Sequence, residues 1–109
     1  MENANMLELS MSLIAGAGDA KSDSMEAIML AKEGKFQEAK SAIQRASDGL
    51  QSTHEIQTQL IRDEMTGNPH EVTLLMVHAQ DHLNGALMMR DLAEEFVHLY
   101  EVMSKKGEC

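Results

Sequence analysis

The sequence predicts an all-α protein, an antiparallel three-helix bundle running up, down and up, and three observations carry that expectation. Strong helix formers dominate the 109 residues, with a single Pro and only three aromatic side chains. Apolar residues recur at spacings of three and four through three long segments. The breaks at Glu33-Gly34-Lys35 and Met65-Thr66-Gly67-Asn68 are short, and short connections place consecutive helices antiparallel. The chain therefore reads as one domain over residues 1–109, with loose ends at 1–5 and 104–109.

The first helix is expected from about Met6, its apolar face formed by Met6, Leu9, Leu13, Ala17, Ala20, Met25, Ile28 and Ala31 with some irregularity. Ala15-Gly16-Ala17-Gly18 weakens it, because each Gly costs about 1 kcal/mol relative to Ala in a helix interior. Small residues there suit a close helix crossing or a kink; a phosphate-cradling loop would need a Lys-Ser/Thr pair that does not follow. Gly34 fits the left-handed position that ends the helix. The second helix starts near Phe36, and Phe36, Ala39, Ile43, Ala46, Leu50, Thr53, Gln57, Leu60 and Glu64 keep the alternation of coiled-coil packing. Its stripe turns polar at the far end, where Thr53, His54 and Gln57 should face something polar or solvated. Pro69 should open the third helix at its preferred first position, with Asn68 as N-cap and Glu71 completing a box. That helix should run to about Met103, where following lysines suit its negative end.

Ten methionines against three aromatics point to an adaptable core or docking surface, with core filler the expected place for most Met. A net charge of −9 excludes a nucleic-acid backbone or an anionic membrane as partner and suits a basic patch on another protein. No apolar run reaches the ~20 residues of a membrane span, and Met1-Glu2-Asn3-Ala4-Asn5 lacks a basic secretory start, so a cytoplasmic location without membrane insertion is expected. Cys109, the single cysteine, cannot form an intrachain disulfide and receives no role.

The third helix carries the chemistry. Its segment Val77-His78-Ala79-Gln80-Asp81-His82-Leu83 places His78 and His82 one turn apart with Asp81 on the same face. Leu74, Leu92, Phe96, Leu99 and Met103 continue that face, and Val72, Leu75, Ala79, Ala86, Ala93 and Val97 form a second strip a quarter-turn away. An apolar arc of that width exceeds what one small bundle needs, so one edge should pack within the chain and the other against another copy. Four readings of the polar cluster compete: buried polar residues satisfying one another, a zinc site, a nucleophilic histidine, and a non-enzymatic helical adaptor with a structural His/Asp metal site. Zinc is disfavoured because Ala79 stands where metalloprotease helices carry Glu. Neutral imidazole can attack phosphorus, and a neighbouring carboxylate can orient it. Residue chemistry leaves the remaining readings open.

The segment around His78 closely resembles the active-site segment of the lactose/cellobiose (chitobiose) family of enzyme IIA proteins of the bacterial phosphoenolpyruvate-dependent sugar phosphotransferase system. The likeness extends through Ile14–Ser22, Ala31–Phe36, His54–Thr58 and Asp91–Glu95, with Lys21 where many relatives carry Arg and Asn84 where Met is frequent. It implies a three-helix subunit assembled as a homotrimer. It further implies that His78 accepts phosphoryl from the phosphorylated histidine-containing phosphocarrier protein and passes it to a cysteine of the cognate IIB component, during uptake of cellobiose-, chitobiose- or lactose-type disaccharides. Asp81 would meet its symmetry mates around a shared Mg2+. His82 and Gln80 would support the phosphoryl group or orient His78.

Overall fold

The computed structural model describes residues 2–107, with side chains from Asn5 onward. Three helices, α1 (Glu2–Lys32), α2 (Phe36–Met65) and α3 (Leu74–Lys105), form a bundle measuring 58 × 22 × 19 Å. α1 packs along both other helices, and α2 and α3 meet more sparingly. The expected loose residues 2–5 are helical in α1, Ser104 and Lys105 of the expected loose end at 104–109 are helical in α3, and the expectations for Met1, Glu108 and Cys109 lie outside the described residues.

Both connections are closed by the same backbone device. At the end of α1 the Gly34 amide donates to the Ala31 carbonyl and the Lys35 amide to the Leu30 carbonyl. At the end of α2 the Gly67 amide donates to Glu64 and the Asn68 amide to Asp63. This paired pattern needs a left-handed residue, and Gly34 (φ 81°) and Gly67 (φ 89°) supply it without a Cβ penalty.

The second closure corrects the expected start of α3. Asn68 terminates α2 instead of capping α3, and residues 69–73 are not helical. Thr73 is the N-cap: it is extended (φ −100°, ψ 161°), and its side chain accepts from the Met76 amide at 3.0 Å. Asn68 carried two local signals at once, and closing the α2 end uses its amide. His70 Nε2 donates to Asp63 Oδ2 at 2.7 Å, tying the connection to the last turn of α2.

The interior is built of small side chains. Ala17, Ala20, Ala27, Ala31, Ala39, Ala42, Ala46, Ala79, Ala86 and Ala93 are all buried, joined by Leu13, Leu50 and Leu83. On α1 the buried positions are 6, 10, 13, 17, 20, 24, 27 and 31, a strict alternation of four and three in which Ser10 and Ser24 take two places. The Ser10 hydroxyl donates to the Met6 carbonyl at 2.8 Å, so burial leaves it satisfied. The irregularity expected along α1 disappears once these serines are counted, and Ala27 replaces Met25 on the inner face. At Gly16 α1 lies close against α2, since a Cβ there would overlap the Thr53 hydroxyl; at Gly18 the space is open.

Methionine behaves contrary to expectation. Met6 and Met76 are buried, whereas Met11, Met25, Met29, Met65 and Met88 are exposed, so most Met side chains here are not core filler. Closely approaching alanine faces leave room inside for few long side chains.

Candidate functional site

α3 divides into two faces. Met76, Ala79, Leu83, Ala86, Ala93 and Val97 turn inward, as the expected second strip requires for Ala79, Ala86, Ala93 and Val97. Val72 lies before the helix and is exposed. The opposite face carries Leu74, Val77, Met88, Leu92, Phe96 and Leu99, with Leu74 86% and Met88 66% exposed. α1 adds Leu7, Met11, Met25 and Met29, also open to solvent. Single apolar surface residues are ordinary, but a heptad-spaced row along a whole helix is not.

The polar cluster sits on this open face. His78 and Asp81 are exposed and His82 is half-buried, so buried, mutually satisfied polar residues do not describe them. The His78 and His82 rings meet edge to face, centroids 4.5 Å apart, and their Nε2 atoms lie 3.1 Å from each other. Lys21 reaches across from α1 and brings its Nζ to 3.1 Å from His82 Nδ1. Partial burial lowers the pKa of His82, the charges of Lys21 and His78 lower it further, and Asp81 opposes them. Those influences favour a neutral His82 ring near neutral pH.

Gln80 points the other way. Its amide oxygen accepts from Gln57 Nε2 of α2, and its own amide nitrogen lies 3.5 Å from Met76 Sδ. The polar turn of the α2 stripe thus meets a polar partner at Gln57, as expected, and His54 is exposed, but Thr53 is buried against Gly16 with its hydroxyl donating to the Gly49 carbonyl. Beside this pair a cleft of about 190 Å3, lined by Met6, Leu60, Ile61, Val72, Met76 and Val77, opens between the end of α2 and the start of α3.

Sequence reasoning brought together His78, His82 and Asp81 from helical spacing, and the structure keeps them on one face. It missed Lys21 as a neighbour of His82, because the two are 61 residues apart and no periodicity links them. Among the described residues no group of three or more His, Cys, Asp or Glu converges to hold a metal ion within one chain. Asp81 stands on the face that carries Leu74, Val77, Met88, Leu92, Phe96 and Leu99, with the exposed Glu95 two heptads further along. None of the described helices is long and apolar enough to cross a membrane.

His78 lies on an open helix surface instead of at the bottom of a pocket. Small-molecule substrates are usually enclosed, so a reactive imidazole at such a place would suit a reaction partner that is itself a protein.

Comparison with known proteins agrees with this arrangement. Residues 8–101 match the family described as PTS system, lactose/cellobiose specific IIA subunit. The chain is 41% identical over 104 residues to the lichenan-specific phosphotransferase enzyme IIA component of Bacillus subtilis, covering 95% of this chain and 94% of that protein. Its fold is similar to the crystal structure of the cellobiose-specific enzyme IIA from Bacillus anthracis, with a TM-score of 0.88, 39% identity and 93% of each chain covered. It is also similar to the IIA component in the solution structure of the IIA(Chitobiose)-HPr complex of Escherichia coli, with a TM-score of 0.79, 33% identity, and 91% and 96% of the two chains covered. A three-helix bundle carrying an open-faced histidine pair, matched along nearly its whole length, belongs to the lactose/cellobiose-specific IIA family of the sugar phosphotransferase system.

Proposed function

We propose that the chain is a cytoplasmic phosphocarrier in the uptake of β-linked disaccharides, with His78 as the residue that carries the phosphoryl group. The observation that carries this reading is the exposed His78 Nε2, met by a second imidazole nitrogen on a face large enough for a protein to approach. The donor is the phosphorylated histidine-containing phosphocarrier protein, a choice supported by the likeness to the chitobiose IIA component solved in complex with HPr. In the transfer the lone pair of His78 Nε2 forms a bond to phosphorus as the phosphorus–nitrogen bond of the donor breaks, and the electron pair of that bond stays with the donor ring. Passage to the IIB cysteine exchanges the phosphorus–nitrogen bond of His78 for a phosphorus–sulfur bond. His82 follows the phosphoryl group by donating from Nε2 to one of its oxygens, and positioning supplies much of the rate. Gln80, bonded to Gln57, holds its turn of α3 against α2. The sugar itself is never bound here; relatives named for lichenan, lactose, cellobiose and diacetylchitobiose suggest only the class.

The proposed active form is a homotrimer. The exposed rows on α1 and α3 need a cover, and three copies meeting along α3 would bring three Asp81 carboxylates together. Converging carboxylates repel unless a cation or protons neutralise them, and an all-oxygen set suits a hard ion such as Mg2+. The chain fits such an ion only through shared ligands, since one copy supplies one carboxylate. When bound, the ion would supply charge neutralisation on the axis.

Incubation with phosphoenolpyruvate and the two general phosphotransferase proteins, followed by intact mass, tests the carrier reading. One acid-labile, base-stable phosphate per chain is expected, and none on His78→Ala with unchanged helix content. An unphosphorylated wild type beside an active donor, or a phosphorylated His78→Ala protein, would overturn it. Asp81→Leu should abolish Mg2+ binding in calorimetry yet keep the trimer, because apolar packing replaces a charge cluster.

A further inference from the structure

Lys21 lies on α1, outside the histidine segment, yet its ammonium is 3.1 Å from His82 Nδ1. An ammonium has three donors and no acceptor, so that ring nitrogen must present its lone pair. A neutral His82 then carries its proton on Nε2, the atom that lies 3.1 Å from His78 Nε2. That proton can be donated only to a lone pair, so His78 in turn keeps its proton on Nδ1 and its Nε2 bare. Three groups in series thus have one consistent set of donors and acceptors, and Lys21 is the member that cannot reverse its role. The lysine side chain passes beside Gly85, where a Cβ would sit in ordinary contact with Lys21 Cε at 3.4 Å and Nζ at 3.5 Å.

We propose that Lys21 is a positioning residue for phosphoryl transfer, fixing the tautomer of His82 so that His82 Nε2–H points at the reacting nitrogen of His78. The inference rests on the phosphocarrier reading. Without Lys21 the two neutral forms of His82 become closer in energy. The form protonated on Nδ1 would turn a lone pair toward His78, favouring the His78 tautomer that carries its proton on Nε2 and cannot attack from there, and would have no proton to offer a phosphoryl oxygen. Orienting partners of this kind typically change activity by about 10- to 100-fold when removed. An Arg side chain is also a donor without an acceptor and can serve the same purpose.

The test measures two quantities on wild type, Lys21→Met and Lys21→Arg: the ring-nitrogen chemical shifts of His82 at a pH where the ring is neutral, and the rate of phosphoryl acceptance from the phosphorylated donor. Wild type should show the Nε2–H form. Lys21→Met should mix in the Nδ1–H form and accept phosphoryl about 10- to 100-fold more slowly with unchanged helix content, and Lys21→Arg should restore both. A wild type that takes no phosphoryl group overturns the carrier reading and this one with it. A phosphorylated wild type matched by Lys21→Met in rate and tautomer overturns the role of Lys21 alone. Slower transfer with an unchanged tautomer also overturns it, making the lysine a direct ligand of the phosphoryl group.

Discussion

At Gly16 a hydrogen atom occupies a place that a methyl group cannot. Gly16→Ala would gain about 0.5–1 kcal/mol from helix propensity. It would lose about 1–3 kcal/mol by overpacking against Thr53, whose branched side chain turns reluctantly. Net destabilisation of about 1 kcal/mol is expected in denaturant titrations. Gly49 has open space where its Cβ would stand, so Gly49→Ala should instead stabilise by about 0.5–1 kcal/mol. At the histidine pair, loss of a donor aimed at developing charge typically costs 10²–10³ in rate. His82→Ala should therefore slow phosphoryl acceptance by roughly 10²-fold in rapid-quench measurements, leaving His78 still able to react. His78, Asp81 and His82 were legible because helical spacing is local. Lys21 was not, since its nearness to His82 exists only after α1 and α3 have docked.

The elements were legible where their signals were unambiguous. Gly34 announced the end of α1, and the α2 stripe kept its period from Ala39 through Thr53. Two places misled for definite reasons. Ser10 and Ser24 are polar, and a search for apolar residues passes over them although their volume suits a close-packed face. Asn68, Pro69 and Glu71 form a good local start signal, but Gly67 had already committed the Asn68 amide to α2. The connection that results is held by Asp63, whose pKa is lowered first by its hydrogen bond with His70 and then by that with Gln59. A depressed carboxylate contributes fully above its ordinary value and loses that contribution as pH falls through the lowered one. Heteronuclear relaxation should therefore show residues 68–73 becoming more mobile at acidic pH, and Asp63→Asn should show the same mobility at neutral pH.

Across the whole molecule, the interior is mostly alanine with a few larger residues such as Leu13, Leu50 and Leu83, while Met11 and Met29 of α1 and Leu74, Met88, Leu92 and Leu99 of α3 lie outside. Leu92 is 52% exposed in the single chain, so Leu92→Lys should leave the bundle folded while preventing assembly. Sedimentation should show three chain masses for wild type and one for the variant; a monomeric wild type would refute the threefold assembly. The wide apolar arc of α3 was legible as a face that the single chain leaves partly open, but a helical wheel does not count copies. The methyl-lined interior bears on how long the protein lasts. Methyl groups remove little apolar area from water, so association would furnish much of the favourable free energy of this chain. Its melting temperature should then climb with concentration, and newly made chains would be open to proteases until enough of them had accumulated to assemble in threes. Gene dosage would set the half-life of this carrier as well as its amount.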